Sequence, residues 1–552
     1  MSANLSWLSV EGVSDLKDGV SFTVPWPRGL HSSGQIFDIQ GVDGLTSPLD
    51  SREIAFWADG SLKWTAHSIS GNVPHSPKYT VQSAKDATSK QPEGDGVCID
   101  RASSNLVVGN NCGLRIIFSY PGDASILKSI SLNDRVVCCG ATIIASINKT
   151  EYSTALESIE VENHTSNRAV IKASGVATSS DGIKHLPFDI RFYIYSDAES
   201  VKVVHSFIHD LDPQEPLTSL GLRFSVSLEG TEFYNRHVRI GGSNGGILKE
   251  EVQGLSGLRH GPTIQNKIDQ TSGGIVELKE EEWQRTELAK GLSYIPAWDS
   301  YSLSQLSSDG FTIKKRTKEG CSWVKVIGGT RAAGTAFVGS ARHGGLAVGM
   351  SDFWERFPTE LSLSSLTKTE GQMTVWLYSP LAEPLDTSPY HDGLGMDTYA
   401  KQLDGLNVTY EDYEPGFATA NGIARSNQFF LKLFSATPSN QDLASFSALV
   451  RNPPRLVPTS EYTHSTGAFH GCWAPVRKGN VSAKEEEIER NLALLFGFYK
   501  GQIEQNRWYG FWDHGDVMHT YDEYRHAWRY DVGGFAWVSD LCDSYLLSLL
   551  SV

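Results

Sequence analysis

The stretches HLPFDIRFYIYS (residues 185–196) and VKVVHSFIHDL (residues 201–211) decide the fold class. From Phe188 to Ile194 every second residue is a large apolar one. Because successive side chains of a β-strand point to opposite faces, this pattern predicts strands with one buried face. Similar stretches recur from residue 97 to residue 385, with turn residues between them. The sequence therefore predicts a large antiparallel β-sandwich in the middle of the chain.

The first part of the chain, residues 1–88, contains shorter strand patterns. FWADGSLKW (residues 56–64) has Asp59-Gly60 between two apolar runs, and an Asp-Gly pair in this setting predicts a β-hairpin. The polar stretch SAKDATSKQPEGDG (residues 83–96) predicts a linker to the central part of the chain.

Helical patterns replace the strand patterns after about residue 395. Residues 439–451 begin with a Ser-x-x-Asp cap and end before two prolines, and residues 483–503 are amphipathic with acidic residues in the first turns. Residues 534–552 also predict a helix. Its apolar run reaches Val552, so we expect the fold to continue beyond this position.

Composition and charge exclude several classes of protein. The 552 residues are 40% hydrophobic and 20% charged, which excludes wholesale disorder. The 48 Lys and Arg residues face 64 Asp and Glu residues, a net charge of −16, which argues against a nucleic-acid partner. The seven cysteines form no CxxC pair, so neither a disulfide framework nor a cysteine zinc site is predicted.

The N-terminus has no basic stretch followed by an apolar core, and no window has the length of a membrane span. These features predict a cytoplasmic protein without a membrane partner. A different start of the chain would make a secreted protein the alternative. The oligomeric state is left open.

The densest group of chemically active residues is WYGFWDHGDVMHTYDEYRHAWRYDVGG at residues 508–534. Aromatic rings stack on sugars, and Arg guanidinium groups hold carboxylates. Its glycines favour a loop over a helix, and loops often carry function. We therefore predict a site for an acidic sugar. Its candidate residues are Tyr509, Trp512, His514, Asp516, His519, Tyr521, Arg525, Arg529 and Tyr530.

Three other interpretations of this segment remain. The first is a polar surface helix or an aromatic-rich edge of the core, without a site. His514 and His519 lie five residues apart, which does not fit the helical HExxH zinc pattern, so no metal ligand is predicted and a divalent cation stays an open alternative. Asp513 and Asp516 are candidates for the two carboxylates of a glycoside hydrolase.

Further candidate pocket residues lie upstream. His391 and Asp392 in residues 388–403 and Arg425 in residues 410–427 are predicted to bind substrate, with a domain-junction loop as the alternative. Arg342, His343 and Arg356 are interpreted as surface charges, His464 and His470 as structural groups, and Trp26, Trp57 and Trp64 as core residues.

Several motifs together resemble one family. They are VPWPRG (24–29), FWADGSLKW (56–64), YHDGLGMDTYAKQL (390–403), TYEDYEPGF (409–417), GIAR (422–425) and WYGFWDHGDVMHTYDEYRHAWRYDVGGFAW (508–537). The chain resembles the exo-acting rhamnogalacturonan lyases of polysaccharide lyase family 26, known from fungi and bacteria, over essentially its whole length. The resemblance implies an N-terminal RIFT-type β-barrel (1–88), a central β-sandwich (97–385) and the incomplete start of an α/α toroid (395–552).

The resemblance also implies β-elimination on the backbone of rhamnogalacturonan I, an acidic pectic polysaccharide. Arg525 or Arg529, or a bound cation, is then expected to neutralise the galacturonate carboxylate. His519 or Tyr521 is expected to take the C5 proton, and Tyr530 or His514 to protonate the leaving oxygen. A glycoside hydrolase and a degenerate carbohydrate-binding protein without activity are the competing hypotheses.

Overall fold

The computed structural model describes most of the chain. The described residues are 2–8, 18–71, 73–84, 96–101, 105–242, 246–258, 262–279, 288–387, 398–406, 419–469, 474–477, 479, 481–512, 520–522, 524 and 527–529. The predicted helix at 534–552 and most of the predicted linker at 83–96 lie outside them.

The N-terminal part is an antiparallel sheet of short strands. Its strands are β1 (Ala3–Trp7), β2 (Val20–Pro25), β3 (Phe37–Gly41), β4 (Thr46–Phe56), β5 (Leu62–Ile69), β6 (Lys78–Ser83) and β27 (Leu456–Pro458). The seven strands are ordered β2-β5-β4-β3-β6-β1-β27. The predicted Asp-Gly hairpin joins β4 to β5, and Gly60 has the positive φ of 82° that such turns require.

The core of this sheet is built around Trp26, which is 0% exposed. Its ring stacks on Phe37 at 4.8 Å, and its indole N–H donates to Thr65 Oγ1 at 2.7 Å. The prediction of a core role for Trp26 is confirmed. Strand β27 and Tyr462 come from far along the chain and complete the same core.

The central part is built from antiparallel strands. They are β7 (Cys98–Asp100), β8 (Val107–Gly109), β9 (Leu114–Phe118), β10 (Leu127–Leu132), β11 (Arg135–Ile147), β12 (Thr150–His164), β13 (Arg168–Ser179), β14 (Lys184–Tyr195), β15 (Ser200–Ile208), β16 (Leu217–Ser227), β17 (Arg236–Gly241), β18 (Ile247–Glu251), β19 (Ser300–Ser307), β20 (Gly310–Arg316), β21 (Val324–Gly329), β22 (Thr335–Ser340), β23 (Gly344–Met350), β24 (Thr359–Ser364), β25 (Glu370–Tyr378) and β26 (Ala424–Phe434).

These strands form two facing sheets. Hydrogen bonding runs β7-β8-β9-β10-β11-β16-β25-β24-β19-β20-β21 in one sheet. It runs β12-β13-β14-β15-β26-β23-β22-β17-β18 in the other. The β11–β12 hairpin joins the two sheets. Phe118 of the first sheet contacts Phe192 of the second at 5.2 Å, and the alternating residues Phe188 to Ile194 are buried as predicted.

Strand β26 extends the sandwich beyond its predicted end at residue 385. It pairs with β15 on one side and β23 on the other, so it lies inside the second sheet. The sequence pattern places these residues after the sandwich, because polar segments separate β26 from the other strands along the chain. Hydrogen bonding of β26 to β15 and β23 nevertheless places it inside the second sheet.

Helices occupy the remaining described segments. They are α1 (Ile264–Ser272), α2 (Leu288–Leu292), α3 (Tyr399–Leu406), α4 (Asn440–Arg451), α5 (Ser460–Thr466) and α6 (Ala483–Asn506); a 3₁₀ turn covers Phe233–Asn235, and β28 (Thr520–Asp522) pairs with β29 (Ala527–Arg529). Both predicted helices of the described C-terminal part are confirmed. Helix α4 begins with a capping box of Ser439 and Asp442, and α6 with one of Ser482 and Glu485.

The predicted apolar stripe of α6 is about half-exposed among the described residues, with 54% exposure at Ile488 and 56% at Leu495. None of the described helices is long and apolar enough to cross a membrane.

The hydroxyl of Tyr462 links α5 to the N-terminal sheet. It donates to the carbonyl of Pro25 at 2.8 Å, and the side chain is 6% exposed. We expect Tyr462→Phe to lower the free energy of unfolding by about 0.5–1.5 kcal/mol, the usual effect of one lost buried hydrogen bond. Urea denaturation followed by circular dichroism measures the change. Tyr294→Phe, at a side chain that is 76% exposed, is the matched control. Equal stabilities of the two variants would contradict the assigned role.

Candidate functional site

The predicted site residues fall into three groups. The side chains of Arg425, Tyr509 and Trp512 are described, and Tyr521 and Arg529 lie in the paired strands β28 and β29. The other predicted residues lie outside the described residues: His391, Asp392, Asp513, His514, Asp516, His519, Arg525 and Tyr530.

Residues 508–512 dock on the sandwich. The backbone N–H of Phe511 donates to the carbonyl of Phe357 at 2.8 Å. The Phe511 ring stacks on Phe207 of β15 at 5.9 Å and meets Tyr378 of β25 at 5.1 Å. Since β15 and β25 belong to different sheets, the Phe511 ring closes the core between the two sheets.

Trp512 lies within this core and not on the surface. It is 3% exposed, and its ring meets the ring of His209 edge-on at 5.1 Å. The sequence predicted an exposed ring that stacks on a sugar. A stacking platform needs one open face for its ligand, and here neighbouring protein groups cover the indole. The described arrangement therefore gives Trp512 a packing role.

Arg425 is also buried, at 4% exposure. It lies on β26 opposite Phe207, and its Nη2 donates to the carbonyl of Gly510 at 3.3 Å. The predicted role was binding of a substrate carboxylate. In the structure this guanidinium contacts the backbone of the docked residues 508–512.

Two histidines were not predicted as site residues: His205 in β15, and His209 directly after this strand. His205 is 1% exposed and lies opposite Asn427, and His209 is 2% exposed beside Trp512. Burial lowers the pKa of His205 to about 4 and also lowers the pKa of His209, so both rings are neutral at neutral pH. The sequence VKVVHSFIHDL contained a signal for them, because alternation along a strand places His205 and His209 on the same face as the apolar Phe207.

Tyr509 belongs to a network at the end of α6. Its hydroxyl donates to Glu504 Oε1 at 2.7 Å, and Arg331 holds both oxygens of Glu504 at 3.1 and 2.8 Å. The Arg331 guanidinium also lies 3.8 Å from the centre of the Trp354 ring. The hydrogen bonds from Arg331 lower the pKa of Glu504 to about 2, and burial raises the pKa of Tyr509. This network attaches α6 to the sandwich.

Described residues at the borders of the three segments that carry the predicted residues lie at one end of the sandwich. Gly422 donates to the carbonyl of His209 at 2.8 Å, and Trp512 contacts the ring of the same His209. Tyr378, which contacts Phe511, also donates to the carbonyl of Glu383 just before residue 388. The ends of three segments therefore lie around one buried polar cluster, defined here as His205, His209, Arg425 and Asn427.

No group of three or more His, Cys, Asp or Glu side chains in the described part of the chain is arranged to hold a metal ion. Arg342 pairs with Glu277 at 2.9 Å on the surface, in agreement with its interpretation as a surface charge.

Comparison with known proteins identifies the family. The descriptions "PcRGLX-like N-terminal RIFT barrel domain", "PcRGLX-like protein central beta sandwich domain" and "PcRGLX-like protein C-terminal alpha/alpha toroid domain" match residues 1–84, 97–448 and 453–547. The chain belongs to the PcRGLX-like family. This is the rhamnogalacturonan exolyase-like family that the sequence motifs indicated, and the predicted order of barrel, sandwich and toroid is confirmed.

A bacterial protein is similar to this chain over nearly its whole length. "Uncharacterized protein YetA" of Bacillus subtilis (strain 168) is 30% identical over 550 residues, which is 97% of this chain and 61% of the relative. The chain thus spans less than two thirds of that relative's length.

Solved structures show only distant likeness. An alpha-mannosidase from Enterococcus faecalis V583 aligns with a TM-score of 0.41 and 8% identity, over 83% of this chain and 46% of that chain. A galactose mutarotase related enzyme from Lactobacillus acidophilus aligns with a TM-score of 0.27 and 12% identity, over 61% of this chain and 99% of that chain.

The buried position of Trp512 generates a stability prediction. We expect Trp512→Ala to lower the free energy of unfolding by about 3–5 kcal/mol, because it leaves a large cavity in the core. Trp323→Ala, at a ring that is 40% exposed, should cost much less. Chemical denaturation measures both variants. A Trp512→Ala protein as stable as the wild type would show that the ring is not a core group.

The Glu504 network generates a pH prediction. Because the folded-state pKa lies below the ordinary value, the ionised carboxylate stabilises the fold above about pH 4.5, and this contribution is lost as the pH falls towards 2. We expect Glu504→Gln to cost up to about 1 kcal/mol at pH 7 and progressively less below pH 4.5. Thermal unfolding at several pH values measures the difference.

Glu487→Gln, on the same helix, is the control for Glu504→Gln. A difference in stability between the Glu504→Gln protein and the wild type that stays constant from pH 7 to pH 3 would contradict the ionic origin of the effect.

Proposed function

We propose that this protein is a polysaccharide lyase. It cleaves the rhamnosyl–galacturonate bond of rhamnogalacturonan I by β-elimination, and it acts from a chain end. The observation that supports this most is the family match over all three domains, at residues 1–84, 97–448 and 453–547. Carbohydrate activity is the general expectation for the family, and the lyase reaction is the specific proposal.

The reaction needs three chemical roles. A base takes the proton from C5 of a galacturonate, the electron pair forms the C4–C5 double bond, and the C4–O bond breaks. An acid protonates the leaving oxygen. Because the carboxylate at C6 gains negative charge in the transition state, a cation must stabilise it.

We assign these roles to the segment that begins after Trp512. Arg525 stabilises the carboxylate, His519 is the base and Tyr530 is the acid; Arg529, Tyr521 and His514 are the respective alternatives. Neutral histidine is a suitable base near neutral pH because its ordinary pKa is about 6.5. These roles come from residue type and family resemblance.

The described structure supports a fixed starting point for this segment. Arg425 holds the carbonyl of Gly510, and the Phe511 and Trp512 rings are locked in the sandwich core. Catalytic groups work best on rigid supports, since small displacements of reacting groups reduce the rate strongly.

We expect Arg525→Ala to lower kcat/KM on rhamnogalacturonan I by about 10²–10³-fold, the usual effect of removing one group that stabilises transition-state charge. The ultraviolet absorbance of the unsaturated uronate product measures the rate. Arg477→Ala, at a side chain that is 75% exposed, is the matched control and should keep full activity.

Three outcomes would contradict the proposal or part of it. Full activity of the Arg525→Ala protein would refute the role of Arg525. Reducing sugar without the unsaturated chromophore would indicate a hydrolase. Binding of the polysaccharide without any turnover would indicate a non-catalytic carbohydrate-binding protein.

A further inference from the structure

A cleft of about 710 Å³ lies between the N-terminal sheet and the sandwich. Strand β2 forms one wall, and β14, β15 and β26 form the other. The chain between α4 and β27 closes one side. This volume is in the range of cavities that bind small molecules.

Positively charged side chains outnumber carboxylates in the lining of this cleft. Its lining contains the cations Lys202, Arg356, Arg451 and Arg455 and the carboxylates Asp18 and Asp352. Asp352 lies 3.7 Å from Arg356, and Asp18 accepts a hydrogen bond from Ser200 at 2.6 Å. Both carboxylates are therefore engaged by protein groups.

The remaining cations have no such compensation. Among the described residues, no carboxylate lies within ion-pair distance of Lys202, Arg451 or Arg455. Lys202 is half-buried, with its ammonium group 5.6 Å from the centre of the Tyr193 ring. Burial and the nearby charge of Arg455 lower the pKa of Lys202. A bound anion would relieve this repulsion and restore the lost solvation.

The walls of the cleft are held in place. The hydroxyls of Ser21 on β2 and Tyr195 on β14 share a hydrogen bond of 2.7 Å. Gly19 lies so close to Tyr195 that a Cβ atom would clash with the ring, and its φ is +71°. On the other side, Pro453 and Pro454 restrict the backbone before Arg455. The backbone that carries the cations is therefore fixed before a ligand binds.

We propose that this cleft is a second binding site, which holds the carboxylate of a uronate sugar between Lys202 and Arg455. The choice of a uronate rests on the proposed function, whereas the anionic character of the ligand rests on the cleft alone. Arg guanidinium groups bind carboxylates with paired hydrogen bonds, and lysine adds a point charge. The site would keep an acidic polysaccharide attached to the protein.

The cleft and the buried polar cluster share one described residue, Asn427. Arg425 on β26 is buried and does not line the cleft, whereas Ser426, Asn427 and Gln428 all line it. Asn427 Oδ1 also accepts a hydrogen bond from the cleft residue Arg356 at 3.4 Å. The other three residues of the buried polar cluster, His205, His209 and Arg425, are not part of the cleft lining.

Isothermal titration calorimetry with digalacturonate tests the proposal. This probe lacks the rhamnosyl–galacturonate bond and is not a substrate of the proposed reaction. We expect the Lys202→Met/Arg455→Met protein to bind it on the order of tenfold or more weakly than the wild type, because charge-assisted hydrogen bonds are lost. Lys78→Met/Arg115→Met, at two exposed cations outside the cleft, is the charge-matched control and should bind like the wild type.

The single variant Arg455→Met, at an exposed residue, repeats the test if the double variant fails to fold. The neutral dimethyl ester of the probe should bind the wild type weakly. Equal binding of digalacturonate to the wild-type and cleft variants overturns the site. If the wild type binds phosphate more tightly than the cleft variants do, but does not bind digalacturonate, the assignment of a sugar ligand is overturned.

The lyase assay on the same proteins separates the two proposals. The wild-type protein can lack lyase activity while the cleft variants still bind digalacturonate more weakly than it does. That result would refute the proposed function and support the cleft as a binding site.

Discussion

The docking of residues 508–512 on the end of the sandwich is the contact on which the candidate site depends. Phe511 fills the space between β15 of one sheet and β25 of the other, and Trp512 packs on His209. Aromatic side chains of this size bury large apolar areas, so the segment is bound to the sandwich by the same forces that hold the two sheets together. The histidine- and arginine-rich segment that follows begins from this fixed position.

The core beneath the docked segment is unusually polar. His205 Nδ1, His209 Nδ1 and Asn427 Nδ2 have no hydrogen-bond partner among the described residues, and all three side chains are at least 98% buried. Burial of such groups costs free energy, so a core selected only for stability would hold apolar residues here. The middle of the sandwich, around Phe118 and Phe192, has that apolar composition. The composition of this polar end is therefore not explained by stability alone.

Strand β26 connects this end with the cleft beside the N-terminal sheet. Arg425 lies in the buried polar cluster, Ser426 and Gln428 line the cleft, and Asn427 belongs to both places. The N-terminal sheet takes part because β27 and Tyr462, which follow β26 in the chain, complete its core.

The sequence by itself determined the type of several elements. Alternation from Phe188 to Ile194, the Asp-Gly hairpin and the capped helices are local signals, and local backbone preference fixes them. Only the tertiary structure decided that β26 lies inside the sandwich and that Trp512 and Arg425 are buried. The physical reason is that strand pairing and side-chain burial join residues hundreds of positions apart, as Phe207 and Phe511 show, and no local pattern encodes such a partner.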